Sequence, residues 1–259
     1  MSTQSTSLRT AGKTKLLLAT VVAAGAALAL SSTSAKASVI YQEAFGGTST
    51  ASIVGTSPTT DTTGATWQAI DSKATNATYL ADGSTNYPTT QNGGDYLSFT
   101  PTAGNIYTLS ATLTPTDATS GWLSLDFSTG IPTGTTGPAM IVTSTSGSTS
   151  KYGIQLFTAG TSHPSNVTIP SPVTPGETAE ITLNTMGTDW VATWYYGGSE
   201  LATYTYTTNP TVAGVSIGYD TEKGSVGNFE LSTATPEPAS IGLFGLGAVG
   251  LLLARRKRA

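Results

Sequence analysis

The stretch Tyr107-Thr108-Leu109-Ser110-Ala111-Thr112-Leu113 decides the fold class. Tyr107, Leu109, Ala111 and Leu113 fall on one parity; Thr108, Ser110 and Thr112 fall on the other. A strand turns successive side chains to opposite faces, so this alternation specifies extended backbone with one buried side and one hydroxyl-bearing side. Downstream the pattern repeats after Pro115 to Gly121, where Leu123, Leu125 and Phe127 alternate with Ser124 and Asp126. Ala139–Thr145, Tyr152–Thr158, Asn166–Ile169 and the run around Ile181 and Leu183 read as further strands. A hairpin follows. Trp190, Ala192, Trp194 and Tyr196 alternate along one arm, Gly197-Gly198-Ser199 turns, and Leu201–Thr207 returns. Val212–Tyr219 and Val226–Leu231 close the series.

Upstream, Val39–Phe45 reads as a first strand and Gly46–Thr66 as a long loop with a short strand near Ser52–Val54. Trp67–Ile70 and Thr78–Ala81 are short strands, Asp82-Gly83 is a turn, and Tyr96–Thr100 is another strand. No amphipathic helix interrupts these runs. Short β-branched and aromatic segments punctuated by Gly, Pro, Asn, Asp and Ser describe an all-β protein, a single sandwich or barrel domain. About 200 residues suffice for one sizeable core.

Both ends depart from this pattern. Arg9, Lys13 and Lys15 precede the apolar stretch Leu16–Leu30, and Ala35-Lys36-Ala37 supplies a small-x-small cleavage pattern. That is a secretory signal peptide over residues 1–37, cut by signal peptidase after Ala37. At the other end, Pro236-Glu237-Pro238 leads into Ala239–Ala254, 16 residues without a charge. As a helix the run would span roughly 24 Å, close to the ~30 Å hydrocarbon thickness of a bilayer. Arg255, Arg256, Lys257 and Arg258 then form a basic stop. Four cations hold such an end in the cytoplasm and place the body outside. Residues 38–234 are therefore the β domain, and 235–259 a transmembrane segment that anchors the chain while it is present.

The tail resembles the PEP-CTERM sorting signal of bacterial exported proteins, in motif, apolar run and basic end. The resemblance implies processing by an exosortase, a membrane-embedded cysteine transpeptidase, near Pro236–Pro238, and delivery to the envelope or an exopolysaccharide matrix. The body resembles the concanavalin-A-like lectin and glucanase jelly roll. The residues that carry this are Tyr107–Thr112, Gly121–Ser128, the Trp190–Tyr206 hairpin and Gly227-Asn228-Phe229-Glu230-Leu231. With terminal strands paired, that arrangement would put the tail at one end of the body.

Charge narrows the partners. Three basic residues (Lys73, Lys151 and Lys223) against 14 acidic ones give residues 38–235 a formal charge of −11. Nothing in that balance would neutralise phosphates, so nucleic acid is excluded as a partner. The absence of cysteine removes thiol catalysis and thiolate metal sites. His163 is the only histidine, which leaves a catalytic triad or a zinc centre without support.

Glycoside hydrolysis needs two carboxylates facing one bond. The glucanases of the resembled superfamily carry Glu-x-Asp-x-Glu on one strand, and this motif is absent. No catalytic residue and no resident cofactor is assigned. Calcium is the one ion the acidic turns admit, through Asp82, Asp220 and Glu222. Polysaccharide binding would use aromatic side chains as stacking platforms, and Trp67, Trp122 and Tyr195 are the candidates. The sequence thus describes an exported structural or glycan-binding sandwich. A glycan-active hydrolase and an adhesin-like surface-binding module are the alternatives.

Overall fold

The protein is described from a computed structural model that covers residues 37–47, 50–70, 77–86, 93–116, 122–129, 137–143, 153–158, 161–163, 174–220 and 224–235. Ala37–Thr235 forms one compact unit. Its strands are β1 (Ala37–Glu43), β2 (Thr60–Asp61), β3 (Gln68–Ala69), β4 (Thr78–Tyr79), β5 (Ser84–Asn86), β6 (Gly93–Ser98), β7 (Ile106–Pro115) and β8 (Trp122–Ser128). They continue with β9 (Ala139–Thr143), β10 (Ile154–Thr158), β11 (Thr161–His163), β12 (Glu177–Asn184), β13 (Val191–Tyr196), β14 (Ser199–Thr205), β15 (Gly214–Asp220) and β16 (Gly224–Ala234). No helix occurs among the described residues.

Two sheets form the sandwich. The first runs β14-β13-β12-β7-β16-β1-β2, with β5 paired to β16 and β4 to β5. The second runs β11-β10-β9-β8-β15-β6-β3. Every pairing is antiparallel. This is a two-layer jelly-roll-like sandwich, the all-β fold that the alternation requires.

β7 alternates without a break, from half-buried Ile106 to buried Pro115. Tyr107, Leu109, Ala111 and Leu113 point into the core and meet Leu123, Leu125 and Phe127 of the facing sheet. Each large apolar side chain fully buried there contributes about 1.5–3 kcal/mol. Aromatic edges lock the ends of this core. Phe99 meets Tyr107 at a centroid distance of 5.1 Å, and Trp67 meets Phe229 edge-on at 5.1 Å.

The hairpin of β13 and β14 turns on Gly197 and Gly198, with φ of 55° and 77°. Two consecutive positive φ values make the two-residue turn whose twist suits an antiparallel hairpin. Trp194, Ala192 and Tyr196 face the core, as their parity requires. In the long connection before β3, the expected short strand is a single bridge from Ser52 to Thr78. That connection is pinned to Trp67 on both sides: the Gly55 N–H donates to the Trp67 carbonyl, and the Trp67 N–H to the Thr56 carbonyl.

A bulge lets β16 serve the core at both ends. Gly227 opposes Thr112, but Glu230 opposes Ser110, so Asn228 and Phe229 together face one residue of β7. Asn228 takes φ 50°. The extra residue shifts parity, and Val226 and Phe229, three apart, both become fully buried.

One expectation fails in the second sheet. A half-polar strand such as β8 should expose one face, yet all of Leu123–Ser128 is buried, and so is all of β9. The outer face of this sheet is covered as well as its inner one. Met140, Val142 and Phe157 form a separate apolar cluster there, with Trp122 packed against it.

Candidate functional site

The outer face of the second sheet collects the polar parity of β8. Trp122, Ser124, Asp126 and Ser128 alternate with core residues and share this side. β15, the next strand, presents Gly214, Ser216 and Gly218 between core residues Val215, Ile217 and Tyr219. β6 follows with Gly94, Tyr96 and Ser98. One rung therefore reads Gln68–Tyr96–Ser216–Asp126–Met140–Phe157 across six strands.

Small residues make β15 a narrow trough that its neighbours fill to contact distance. A Cβ on Gly214 would come 2.9 Å from the Leu97 carbonyl oxygen, and one on Gly218 would come 2.7 Å from Ser124 Oγ. The Trp122 ring leans over that same glycine, 3.6 Å from where its Cβ would lie. Half-buried Trp122 and half-buried Tyr96 stand on either side of the trough. Strand spacing and rise put their Cα atoms roughly 16 Å apart on the diagonal. The Tyr96 hydroxyl donates to Gln68 Oε1 at 2.8 Å, which orients the exposed amide on β3.

Asp126 lies under this face. It is 2% exposed, and Ser216 Oγ donates to Oδ2 across a long 3.5 Å. Oδ1 is buried without a hydrogen-bond partner. A side chain on Gly137 would overlap the carboxylate, so the glycine backbone lies directly upon it. Burial pushes the Asp126 carboxyl well above the usual range. In its neutral form the group both donates and accepts hydrogen bonds.

The structure separates the three aromatic candidates. Trp122 is on the trough. Trp67 is fully buried between the sheets, its Nε1–H donating to Glu43 Oε2 at 3.4 Å, so it offers no surface to a ligand. Trp67 is thus corrected from platform to core, because its parity along β3 points inward against Phe45 and Phe229. Tyr195 belongs to the other sheet, half-buried on its outer side opposite Glu180.

The acidic candidates do not converge. Asp82 is exposed and accepts hydrogen bonds from the Ser84 N–H and hydroxyl, at 3.2 and 2.6 Å, which closes the β4–β5 turn. Asp220 ends β15 opposite Trp122. Glu222, the tail residues Pro236–Pro238 and Arg255–Arg258, and Ala35 lie outside the described residues; Ala37 opens β1. Among the described residues no group of three acidic or histidine side chains gathers around a metal-sized space.

Sequence reasoning passed over Tyr96, Gln68, Ser216 and Asp126. The signal for them was the parity of Asp126 with Trp122 and the Gly214-x-Ser216-x-Gly218 spacing.

In comparison with known proteins, the body is similar in fold to a glucanase. An endo-1,3-β-glucanase from Streptomyces sioyaensis superposes with a TM-score of 0.50 at 11% identity, over 79% of this chain and 98% of that one. The β-glucanase of Bacillus licheniformis gives 0.48 at 14% identity, over 76% and 98%. The Emp47p carbohydrate recognition domain gives 0.45 at 14% identity, over 79% and 99%. Residues 234–258 carry a PEP-CTERM protein-sorting motif. No protein of curated function matches the chain in sequence.

Proposed function

We propose that this is an exported, envelope-associated protein, sorted and trimmed through its PEP-CTERM tail, whose sandwich holds a neutral polysaccharide without cutting it. The sorting motif at residues 234–258 is the observation that carries the reading, because it assigns the destination independently of the body. Exosortase processing, passage through a signal peptide and a transient membrane helix belong to the same reading.

The trough supports the glycan part. Half-buried Trp122 and Tyr96 offer apolar ring faces and exposed Gln68 an uncharged amide, while Ser124, Ser128 and Ser216 lie buried beneath them. That combination suits a chain of sugar rings. The fold is also one found in an enzyme of 1,3-β-glucan, although the shared architecture alone assigns no ligand.

Among the described residues, hydrolysis finds no second carboxylate beside Asp126. β8 reads Ser124-x-Asp126-x-Ser128, with serines on both sides of the acid. The next acid on these strands, Asp220, is in register with Trp122, four residues from Asp126. That separates the Cα atoms by roughly 13 Å or more, a wide spacing for carboxyl groups that must flank one bond ~5–9.5 Å apart.

Purified protein spanning residues 38–235 should be retained by an insoluble neutral glucan and recovered with soluble oligosaccharide. Trp122→Ala should weaken retention at least about tenfold, the loss of about 1.4 kcal/mol of stacking, while circular dichroism still shows the folded β domain. Retention that is indifferent to Trp122, or release of reducing ends on incubation, defeats the binding reading. An extracellular pool that still ends at Ala259 defeats the sorting reading.

A further inference from the structure

We infer that the folded body itself sets how close to it the tail can be cut, because the sandwich holds the chain up to Thr235. This rests on the reading that the tail is processed. The sorting motif begins at residue 234, and that residue is the last rung of β16. β16 is an interior strand, flanked by β7 and β1. Ala234 opposes Ile106 on one side and Ala37 on the other; Thr233 opposes Tyr107 and Ser38. A processing enzyme takes its substrate as extended backbone and needs a free edge to pair with. No such edge exists on β16 until its partners end.

Thr235 is held one step further. Its hydroxyl donates to Asn105 Oδ1 at 2.8 Å. Asn105 is itself fixed: its Nδ2 donates to Thr102 Oγ1 at 2.9 Å, and its carbonyl accepts from the Thr185 N–H at 2.8 Å and the Thr185 hydroxyl at 2.9 Å. Thr185 is fully buried. The grip on Thr235 is therefore anchored in the interior, and Asn105 is a positioning residue for the tail. Peeling β16 back past Thr233 would begin to uncover Leu231, a fully buried core residue, so the strand resists entry into an active-site cleft.

The limit can be read without the sorting enzyme. The full-length protein in detergent micelles is treated briefly with proteinase K, then digested with trypsin, which releases the last segment from Gly224 onward. Mass spectrometry of that peptide should find ends at Thr235 or beyond and none within β16. Thr235→Val keeps the shape and loses the hydroxyl; it should move the limit inward by about one rung, with an unchanged melting temperature. Thr235→Ser should restore it. Wild-type ends at or before Ser232, or an identical limit in Thr235→Val, overturn the inference. A native extracellular pool with an intact tail would instead remove the processing reading and leave the proteolytic limit where it stands, so the two failures are told apart.

Discussion

Asp95 is a carboxyl group inside the sandwich. It is fully buried, its Oδ2 accepts from the Ala77 N–H at 3.1 Å, and its Oδ1 has no partner. Desolvation pushes it up to about 7, against the pull of that one hydrogen bond. Unfolded, the group titrates near 3.9. Between those values the native state holds a proton that the unfolded state has lost. Stability therefore falls as pH rises through this window, with a slope of at most about 1.4 kcal/mol per pH unit from this group. Asp126, shifted upward by its own burial, adds to the decline in the same direction. The urea midpoint should drop steadily from pH 4 to pH 8, and Asp95→Asn should flatten the part below pH 7. A midpoint that rises over that range would contradict the burial of both acids. Parity along β6 places Asp95 inward with Leu97. Among the aromatics, alternation identified Trp194 as core. The same alternation turns Trp122 outward with Ser124 and Asp126, whereas Trp67 precedes a strand of two residues, too short to set an inner face.

At the scale of the element, β16 shows what a strand gains from one irregular residue. Asn228 at φ 50° sets the bulge, and its Nδ2 donates to Thr112 Oγ1 at 3.2 Å. A β-branched residue tolerates that conformation poorly, while glycine adopts it freely. Asn228→Val should cost about 1–2 kcal/mol, and Asn228→Gly less than about 0.5 kcal/mol, both by urea unfolding. Equal costs would mean that the backbone there is unstrained. β7 and the β13–β14 hairpin were legible because alternation and the Gly197-Gly198 turn are local signals. The bulge was not, because it depends on the register between strands more than a hundred residues apart. The covered outer side of β8 and β9 was equally hidden. The polar parity of β8 reads as solvent-facing until Gly137 is found upon Asp126.

The whole molecule is a two-layer body with an address attached. The fold class and the sorting motif were both written in local patterns, one of period two, one a short motif with an apolar run. The trough was not, since it draws on four strands brought together only by the topology.

The first and last strands add a property of their own. β1 and β16 run antiparallel, and Ala37 faces Ala234 on the outermost rung. A load applied to both ends of the body would thus pull on a zipper: each rung bears the whole tension alone, then passes it to the next. A load through one end and the far face would have to shear many rungs together. In an optical trap, handles at residues 38 and 235 should open the body at distinctly lower force than handles at 235 and a surface position on β12. Trimming at both termini would then free the sandwich from the one direction of strain in which it gives way easily.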